Sequence, residues 1–489
     1  MSSPNNQNLW ENKREGQRLL MVYLYFILLI SIFAFYSHHP LIWWSILILS
    51  LVFILPTHYY LGLPLIIILT ILFERAFTLQ GLILDHFIYK IYPLDIIMGT
   101  SFLALFISAI TKKIKIKIKF GWPEWLLIIF MIINLIYLIS AWLDINSNFE
   151  IAFSSFKNYT WYPLIYFFIL LNIKDSKNFK KIIHIILISG SIIIVYLLFG
   201  LIKGQGLLTE YMPLSTPGVR YLSGTYAFYM LLCLIIGISL LAFKRLSNTI
   251  FAAIIALFWI LGIILSLMRH LWLDTIISLI LLFLFLPQEN KQVLSHYARK
   301  FGLIIISAFA FILLITELFY LTDFNKSFYK QTNNLLIRAN SLINIEEDQS
   351  ANWRLQFWYN AKNAWQKTPL LGVGLGKSIL IDTGDWQNFE AIRNLHNSWL
   401  VILIQFGIVG FLLFLSLIIA SAIAAFKSIY QFDDLLPYYL GLLVGCATFL
   451  FASLFQPYLE TNLMAIFFWI FLGLLRTANI IKENENTSN

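Results

Sequence analysis

Long apolar runs separated by short polar segments follow one another along almost the whole chain. A run of roughly 18 or more apolar residues can cross the hydrocarbon core of a bilayer as a helix. About 14 such segments can be counted by that length criterion. Their centres lie near residues 27, 48, 67, 101, 132, 166, 192, 233, 258, 279, 310, 411, 445 and 469. The segments near 48 and 67 are short and interrupted by proline, so about 12 full crossings are also compatible. The short alternating segments of a membrane barrel are missing. The pattern therefore predicts an all-α polytopic membrane protein with about 12–14 transmembrane helices.

The polar segments between these runs predict the orientation. Five basic segments fall on the same face in this count: residues 11–18, 111–119, 174–181, 244–248 and 291–300. Lysine and arginine accumulate in cytoplasmic loops. We therefore expect that face, both termini and a tail at 481–489 to be cytoplasmic. No small-residue cleavage site follows the first apolar run, so we expect no cleaved signal peptide.

Composition agrees with this class. The chain is 60% hydrophobic and 12% charged, whereas a soluble domain carries roughly a quarter charged residues. The net charge of +9 needs no nucleic-acid partner, because the basic loops on one face account for it. Cys233 and Cys446 lie inside apolar runs and indicate neither a disulfide framework nor a metal site.

The largest polar segment on the opposite face runs from about residue 322 to 397. Within it, "SANWRLQFWYNAKNAWQKTP" repeats apolar residues at helical spacing and ends at Pro369. This predicts an amphipathic helix that lies on the membrane or caps the bundle. The following "PLLGVGLG" predicts a turn, since Gly372, Gly374 and Gly376 permit tight backbone conformations.

Three arginines and a histidine occupy the face where cations should be depleted: Arg220, Arg269, Arg354 and His396. Arginine binds phosphate through a planar fork, and histidine is the usual general base near neutral pH. The set suits transfer from a diphosphate-activated donor. Each residue also has a structural alternative: Arg220 could anchor a span at the headgroups, Arg354 could face water, and His396 could serve a helix N-terminus. His270, beside Arg269, is a second candidate for the base. The acidic residues Glu346, Glu347 and Asp348 fit a solvated loop better than a metal site, so no metal is expected.

Four motifs in this order carry a resemblance to a known family: "VRYLSGTYAF", "LSLMRHLWL", "NWRLQFWYNAKNAWQKTPLLGVGLG" and "NLHNSWLVILIQFGIVGFLLF". Together they resemble the O-antigen ligase and O-antigen polymerase superfamily, over roughly Arg220 to Leu475. The first half of the chain is similar only in having serial spans. We therefore divide the chain into N-terminal transmembrane helices (1–200), a catalytic region (201–480) that includes the periplasmic loop 322–397, and the tail 481–489.

The resemblance implies an all-helical GT-C-like glycosyltransferase of the bacterial inner membrane. Such a protein transfers a glycan from undecaprenyl diphosphate to a hydroxyl acceptor, with inversion and without a metal or cofactor. By resemblance, Arg220 and Arg269 bind the donor diphosphate, and His396 takes the proton of the acceptor. Arg354 holds donor or glycan, and Asn397 orients the imidazole or contacts the sugar. His270 departs from the family, whose ligases often have a small residue there.

Several functions stay open at this stage. A ligase would use lipid A–core as acceptor, a polymerase would use a lipid-linked repeat unit, and a third relative would use a protein hydroxyl. We favour the ligase because of the single large loop with its His-Asn motif. A lipid-linked oligosaccharide flippase is the alternative of a different class. It would require charged or glycine-broken segments in the membrane, and the spans are mostly unbroken.

Overall fold

The protein was analysed as a computed structural model of the full chain. It describes residues 22, 59–72, 82–84, 87–89, 93–111, 119–203, 222–300, 302, 349–382 and 387–488. The chain separates into two compact units, residues 1–118 and 119–489, and each is described by itself.

The first unit contains two described helices and one hairpin. Helix α1 (Gly62–Leu72) is buried along its whole length and contacts helix α2 (Pro93–Ile110). Strands β1 (Leu82–Leu84) and β2 (Phe87–Tyr89) pair antiparallel between them. The centres predicted near residues 67 and 101 thus fall within α1 and α2.

The second unit is a helical bundle with a small hairpin inserted before its last three helices. Its first helices are α3 (Trp122–Leu143), α4 (Phe149–Phe156), α5 (Leu164–Asn172), α6 (Ser176–Lys203), α7 (Gly224–Ala242), α8 (Thr249–Leu265) and α9 (Arg269–Phe285). Then come helix α10 (Gln349–Trp365), the antiparallel strands β3 (Ser378–Asp382) and β4 (Gln387–Ala391), a 3-10 turn (Ile392–Asn394), α11 (Ser398–Ile429), α12 (Leu436–Ala452) and α13 (Asn462–Ser488). Neither hairpin was predicted from the sequence.

Among the described residues, α3, α6, α7, α11 and α13 contain segments long and apolar enough to cross a membrane. The protein is therefore an all-α polytopic membrane protein, as the apolar pattern predicted. The segments centred near residues 27, 48 and 310 lie outside the described residues, so the total of 12–14 spans stays a prediction.

The span predicted near residue 166 is divided into shorter pieces. Helix α4 continues into a π-helical turn (Lys157–Trp161), and α5 begins after Pro163. A π turn inserts an extra residue into a helix and redirects the side chains that follow. It places Asn158 and Tyr159, both buried, against the loop that joins α12 to α13.

The bundle core is formed by helices with apolar residues on every side. Helix α12 contacts α7, α9 and α13, and α13 also contacts α5 and α11. Residues Leu463 to Phe471 of α13 are all buried, including the large Trp469. A helix that is apolar all round is typical of a central position.

Helix α11 is broken at Gly407, where φ is +66°. The segment of residues 369–374 forms backbone hydrogen bonds with both sides of the break. Before the break, the backbone oxygens of α11 accept the N–H groups of the turn, from Val373 to Ile404 and from Gly374 to Gln405. After it, the N–H groups of α11 donate to the turn, from Ile408 to Pro369 and from Val409 to Leu370. The donor–acceptor distances lie between 2.9 and 3.2 Å. Irregular backbone inside a membrane protein requires such partners. The "PLLGVGLG" turn thus lies against α11 and supplies hydrogen-bond partners for the backbone on both sides of the break.

Two basic segments meet at one end of the bundle. Lys180, in residues 174–181, and Arg245, in residues 244–248, both pair with Asp434. The Asn290 amide, next to the third basic segment 291–300, donates to the backbone oxygen of Ala242. The sequence assigned these three segments to one face.

At the same end, α3 and α13 are joined by a buried ion pair. Arg476 Nε donates to Glu124 Oε1 at 2.7 Å, and the Tyr166 hydroxyl donates to the same oxygen at 2.7 Å. Glu124 is fully buried, whereas Arg476 is 13% exposed. Removal of one partner leaves a buried charge without its counterion.

We expect Glu124→Ala to lower the free energy of unfolding by about 3–5 kcal/mol, the usual cost of breaking a buried pair. Glu483→Ala is the matched control, because its ion pair with Lys119 is exposed and such pairs contribute less than about 1 kcal/mol. Thermal unfolding in detergent can be followed with a thiol-reactive dye, since Cys233 and Cys446 are both buried and free. Equal midpoints for the two variants would contradict the prediction.

Candidate functional site

His396 lies between the 3-10 turn and the first turn of α11. It has a left-handed backbone, with φ at +53°, which is uncommon for a residue other than glycine. Its ring packs edge-on against Trp353 of α10, with centroids 5.6 Å apart. Its Nδ1 lies 3.4 Å from Gln456 Oε1. An amide oxygen only accepts hydrogen bonds, so this contact favours the tautomer with the proton on Nδ1 and a lone pair on Nε2.

The imidazole is held in its neutral form. Burial and the positive charge of Arg354 lower the pKa of His396 to about 4, although the hydrogen bond to Gln456 acts in the opposite direction. At neutral pH the ring is therefore uncharged and has a lone pair for a proton, and the lowered pKa also makes it a weaker base than an ordinary histidine. A neutral histidine is the form that a general base requires.

Helix α10 is fixed to the segment that leads into His396. Phe357 and Ala361 are buried in a cluster with Ile392 and Leu395. The Trp358 indole donates to the backbone oxygen of Leu395 at 2.7 Å. The predicted amphipathic helix thus exists and turns its apolar face to the protein, which places Arg354 beside His396.

The glycine turn joins this region to the bundle at a second point. Gly372, Gly374 and Gly376 all have positive φ, as the sequence predicted from their conformational freedom. Asn148 donates its backbone N–H to Gly376 at 2.9 Å. Lys377 forms an ion pair with Asp144 and lowers the pKa of that carboxyl to about 2.

The loop between α12 and α13, residues 453–461, connects two of the predicted site residues. His396 contacts Gln456, and His270 Nε2 lies 3.0 Å from the hydroxyl of Tyr458. The two histidines of the candidate site thus contact residues two positions apart on one loop. This loop occupies the centre of the candidate site.

Arg269 is the first residue of α9, directly before His270. The preceding Leu267 has a left-handed backbone with φ at +55°, which separates α8 from α9 within three residues. Helix N-termini carry a partial positive charge that favours anions. Arg269 therefore adds a full charge where the backbone already favours a phosphate group.

Asn397 is the N-cap of α11, because its side-chain oxygen accepts the backbone N–H of Leu400 at 3.1 Å. This capping contact accounts for one of its polar atoms, and its role towards a sugar stays a prediction. Arg220 and the acidic run Glu346–Asp348 lie outside the described residues. No group of three or more His, Cys, Asp or Glu side chains is placed to hold a metal within the described ranges.

Sequence reasoning missed Gln456, Tyr458 and Glu460. They belong to "FQPYLETN", a short polar segment that the span count places on the same face as the large loop. Its position on the same face as the large loop was the available signal for a role in the site, because polar groups on one face can come together in space. The segment gave no motif of its own, and only the fold brings it against His396.

We expect Arg354→Gln to raise the pKa of His396 above its value of about 4, because a nearby positive charge is lost. The rise is partial, since burial, the larger cause, remains. The pH dependence of His396 carbethoxylation by diethyl pyrocarbonate, quantified by peptide mass spectrometry, measures the shift. Lys362→Gln is the control, because it removes an exposed cation from the same helix. A pKa unchanged by Arg354→Gln, or shifted equally by both variants, would exclude this electrostatic coupling.

The described fold and site define a polytopic helical membrane protein with a polar site where one end of the bundle meets a helix and hairpin from its large loop. A model of the family described as O-antigen ligase matches residues 252–415. No curated protein matches the chain. The match covers less than half of the chain, and it supports the resemblance to the O-antigen ligase and polymerase superfamily that the motifs predicted. It contains Arg269, His270, Arg354, His396 and Asn397, whereas Arg220 precedes it.

Proposed function

We propose that this protein is a GT-C-like glycan ligase of the bacterial inner membrane, with both termini in the cytoplasm. It transfers a glycan from undecaprenyl diphosphate to a hydroxyl of lipid A–core on the periplasmic face. The transfer inverts the anomeric carbon and needs no metal. The observation that carries the proposal is a neutral His396 imidazole held through Nδ1, with Arg354 beside it, inside the region that matches the family model.

Each residue has one step in this reaction. His396 Nε2 takes the proton from the acceptor hydroxyl, and the hydroxyl oxygen forms a bond to the anomeric carbon. The bond from that carbon to the phosphate oxygen breaks, and undecaprenyl diphosphate leaves with the electron pair. Arg269 and Arg220 bind the diphosphate and stabilise its growing charge, while Arg354 and Asn397 hold the glycan. Positioning, charge stabilisation and base catalysis are the physical contributions.

His270 supports the site in a different way. Its Nε2 is occupied by the Tyr458 hydroxyl, whereas His396 contacts Gln456 through Nδ1. We therefore assign the base to His396 and give His270 a substrate-binding role beside Arg269. A polymerase would use the same groups, since it differs only in its acceptor.

Two observations favour a second candidate, transport of the lipid-linked glycan. Helix α11 is broken at Gly407, and Asp274 of α9 is buried without a hydrogen-bond partner for either carboxylate oxygen among the described residues. Broken helices and intramembrane acids are typical of transporters. The expectation of mostly unbroken spans does not hold for α11. At the break, however, the glycine turn donates hydrogen bonds to the backbone oxygens of Ile404 and Gln405, so these oxygens already have partners within the protein.

Transfer of radiolabelled glycan by the purified protein in EDTA tests the proposal. Undecaprenyl-diphosphate glycan is the donor, and lipid A–core, a lipid-linked repeat unit and a protein hydroxyl acceptor are supplied separately. We expect label on lipid A–core alone, with Arg269→Ala reducing the rate. Label on the repeat unit instead would identify a polymerase. Movement of the donor across a liposome bilayer without labelling of any acceptor would establish the transporter.

A further inference from the structure

Glu460 is a buried acid in the loop of residues 453–461, and it faces the segment that contains His396. Its side chain is 4% exposed. The hydroxyls of Ser398 and Tyr159 donate to its two carboxylate oxygens, each at 2.5 Å. The guanidinium of Arg393 donates to its backbone oxygen. One residue thus contacts the π turn, the 3-10 turn and the start of α11.

These contacts lie on both sides of His396. Arg393 precedes it by three residues, and Ser398 follows it by two. Between them the backbone of His396 is left-handed, a conformation that persists only where the surroundings enforce it. Glu460 is bonded to both flanks of that strained residue, so it restrains the backbone from which the imidazole projects.

The same loop also determines which ring nitrogen is available. The Ser398 hydroxyl lies 3.3 Å from the backbone oxygen of Gln456, and its oxygen accepts the backbone N–H of Leu459 at 3.1 Å. The Gln456 side chain then meets His396 Nδ1. Through Ser398, the position of Glu460 is therefore linked to the group that holds the imidazole.

A carboxylate is the group that suits this position. It accepts two hydroxyl donors at once, whereas an apolar residue of the same size would remove the acceptor of the buried Tyr159 hydroxyl and leave Ser398 with only the more distant backbone oxygen of Gln456 as acceptor. Burial raises the pKa of Glu460 to about 7, although Ser398, Tyr159 and Arg393 act in the opposite direction.

We propose that Glu460 is a positioning residue for His396: its bonds to Ser398, Tyr159 and Arg393 hold the 393–398 segment and the 453–461 loop together, so that the imidazole keeps Nδ1 on Gln456 and turns Nε2 to the acceptor. Its effect on catalysis rests on the proposed function. Its effect on the ring does not, because the contacts exist without substrate. The two consequences can therefore be measured separately.

The test compares Glu460→Leu, Glu460→Gln, Ser398→Ala and Tyr159→Phe with the parent protein. Tyr439→Phe is the matched control, since it removes another buried tyrosine hydroxyl, 3.0 Å from Thr477, between α12 and α13. Two readouts are needed: the rate of His396 carbethoxylation against pH, with the exposed His184 as internal reference, and the kcat and KM of glycan transfer. Detergent size-exclusion profiles and thiol-dye unfolding establish which variants fold.

We expect Glu460→Leu to lower kcat by about 100-fold, the effect of displacing a reacting group by about 1 Å, and to leave KM for the donor within about threefold because the diphosphate contacts remain. Its carbethoxylation curve moves to higher pH, as the ring becomes more accessible to water. In Glu460→Gln, kcat and the carbethoxylation curve stay close to those of the parent, because the amide can still form hydrogen bonds with the hydroxyls of Ser398 and Tyr159. Tyr439→Phe changes neither.

Parent-like labelling and kcat in a folded Glu460→Leu protein would overturn the positioning role. If that variant does not fold, Ser398→Ala and Tyr159→Phe decide the question: a shift in both readouts relative to Tyr439→Phe supports the role, and no shift overturns it. If the parent transfers no glycan to any acceptor, the proposed function fails, while the labelling curves still test the positioning of the ring.

Discussion

His396→Ala is expected to lower the transfer rate by about 10²–10⁴-fold, the contribution of a general base. The physical reason is that the variant removes the neutral imidazole that contacts Gln456 and takes the acceptor proton. Transfer of radiolabelled glycan, measured at saturating donor, gives the change in kcat. The loss should fall on kcat more than on KM, because a base acts in the transition state and not in donor binding.

His270→Gln is the control for this loss. It removes the second histidine, but glutamine can keep a hydrogen bond to the Tyr458 hydroxyl. We expect a reduction of less than about tenfold, since general base catalysis by His396 remains. A larger loss in His270→Gln than in His396→Ala would reverse the assignment of the base. Thiol-dye unfolding of both variants separates these outcomes from misfolding, since Cys233 and Cys446 are buried in the folded bundle.

Gly407→Ala is expected to destabilise the protein by on the order of 4 kcal/mol or more, the upper range of single-residue effects. A methyl group at this position would overlap the backbone oxygen of Leu370 and the amide nitrogen of Gly372, and φ at +66° strains any residue with a side chain. Gly372→Ala meets the same contact from the other side. The unfolding midpoint by thiol-dye fluorescence and the yield of monodisperse protein measure both changes.

Gly374→Ala separates steric overlap from backbone strain. Its φ is +88°, but a methyl group there would meet only Tyr137, at 3.8 Å. We expect a loss of about 1–2 kcal/mol, the cost of a left-handed residue alone. If Gly407→Ala and Gly374→Ala were equally stable, the close approach between the glycine turn and the break in α11 would not contribute to folding.

The break in α11 is coupled to the candidate site through the glycine turn, which is continuous with α10. The same turn begins where α10 ends, and α10 carries Trp353 and Arg354 to His396. A variant that loosens the contact between Gly372 and Gly407 therefore weakens one attachment of this region to the bundle. Others are the ion pair between Lys377 and Asp144 and the hydrogen bond from Asn148 to Gly376.

Much of the fold was determined by the sequence alone. Apolar runs long enough for a bilayer appear at their predicted positions as α3, α6, α7, α11 and α13, because a backbone in lipid must satisfy its own hydrogen bonds and a helix does so locally. The amphipathic α10 and the glycine turn were also predicted, since helical periodicity and left-handed glycines are properties of short segments. The ordered motifs around Arg269, Arg354 and His396 predicted, for the same reason, a resemblance to the family whose model matches residues 252–415.

Only the tertiary structure decided what completes the site. The contact of Gln456 with His396 joins residues 60 positions apart, and those of Glu460 with Ser398 and Tyr159 join residues 62 and 301 apart. No local pattern encodes such pairs, because they depend on how α11, α12 and α13 pack. The break at Gly407 shows the same limit: an apolar run containing two glycines is compatible with a straight helix, and the segment that fills the break comes from another part of the chain. Hydrophobicity and periodicity fix which segments become helices, whereas burial among packed helices fixes which polar groups meet.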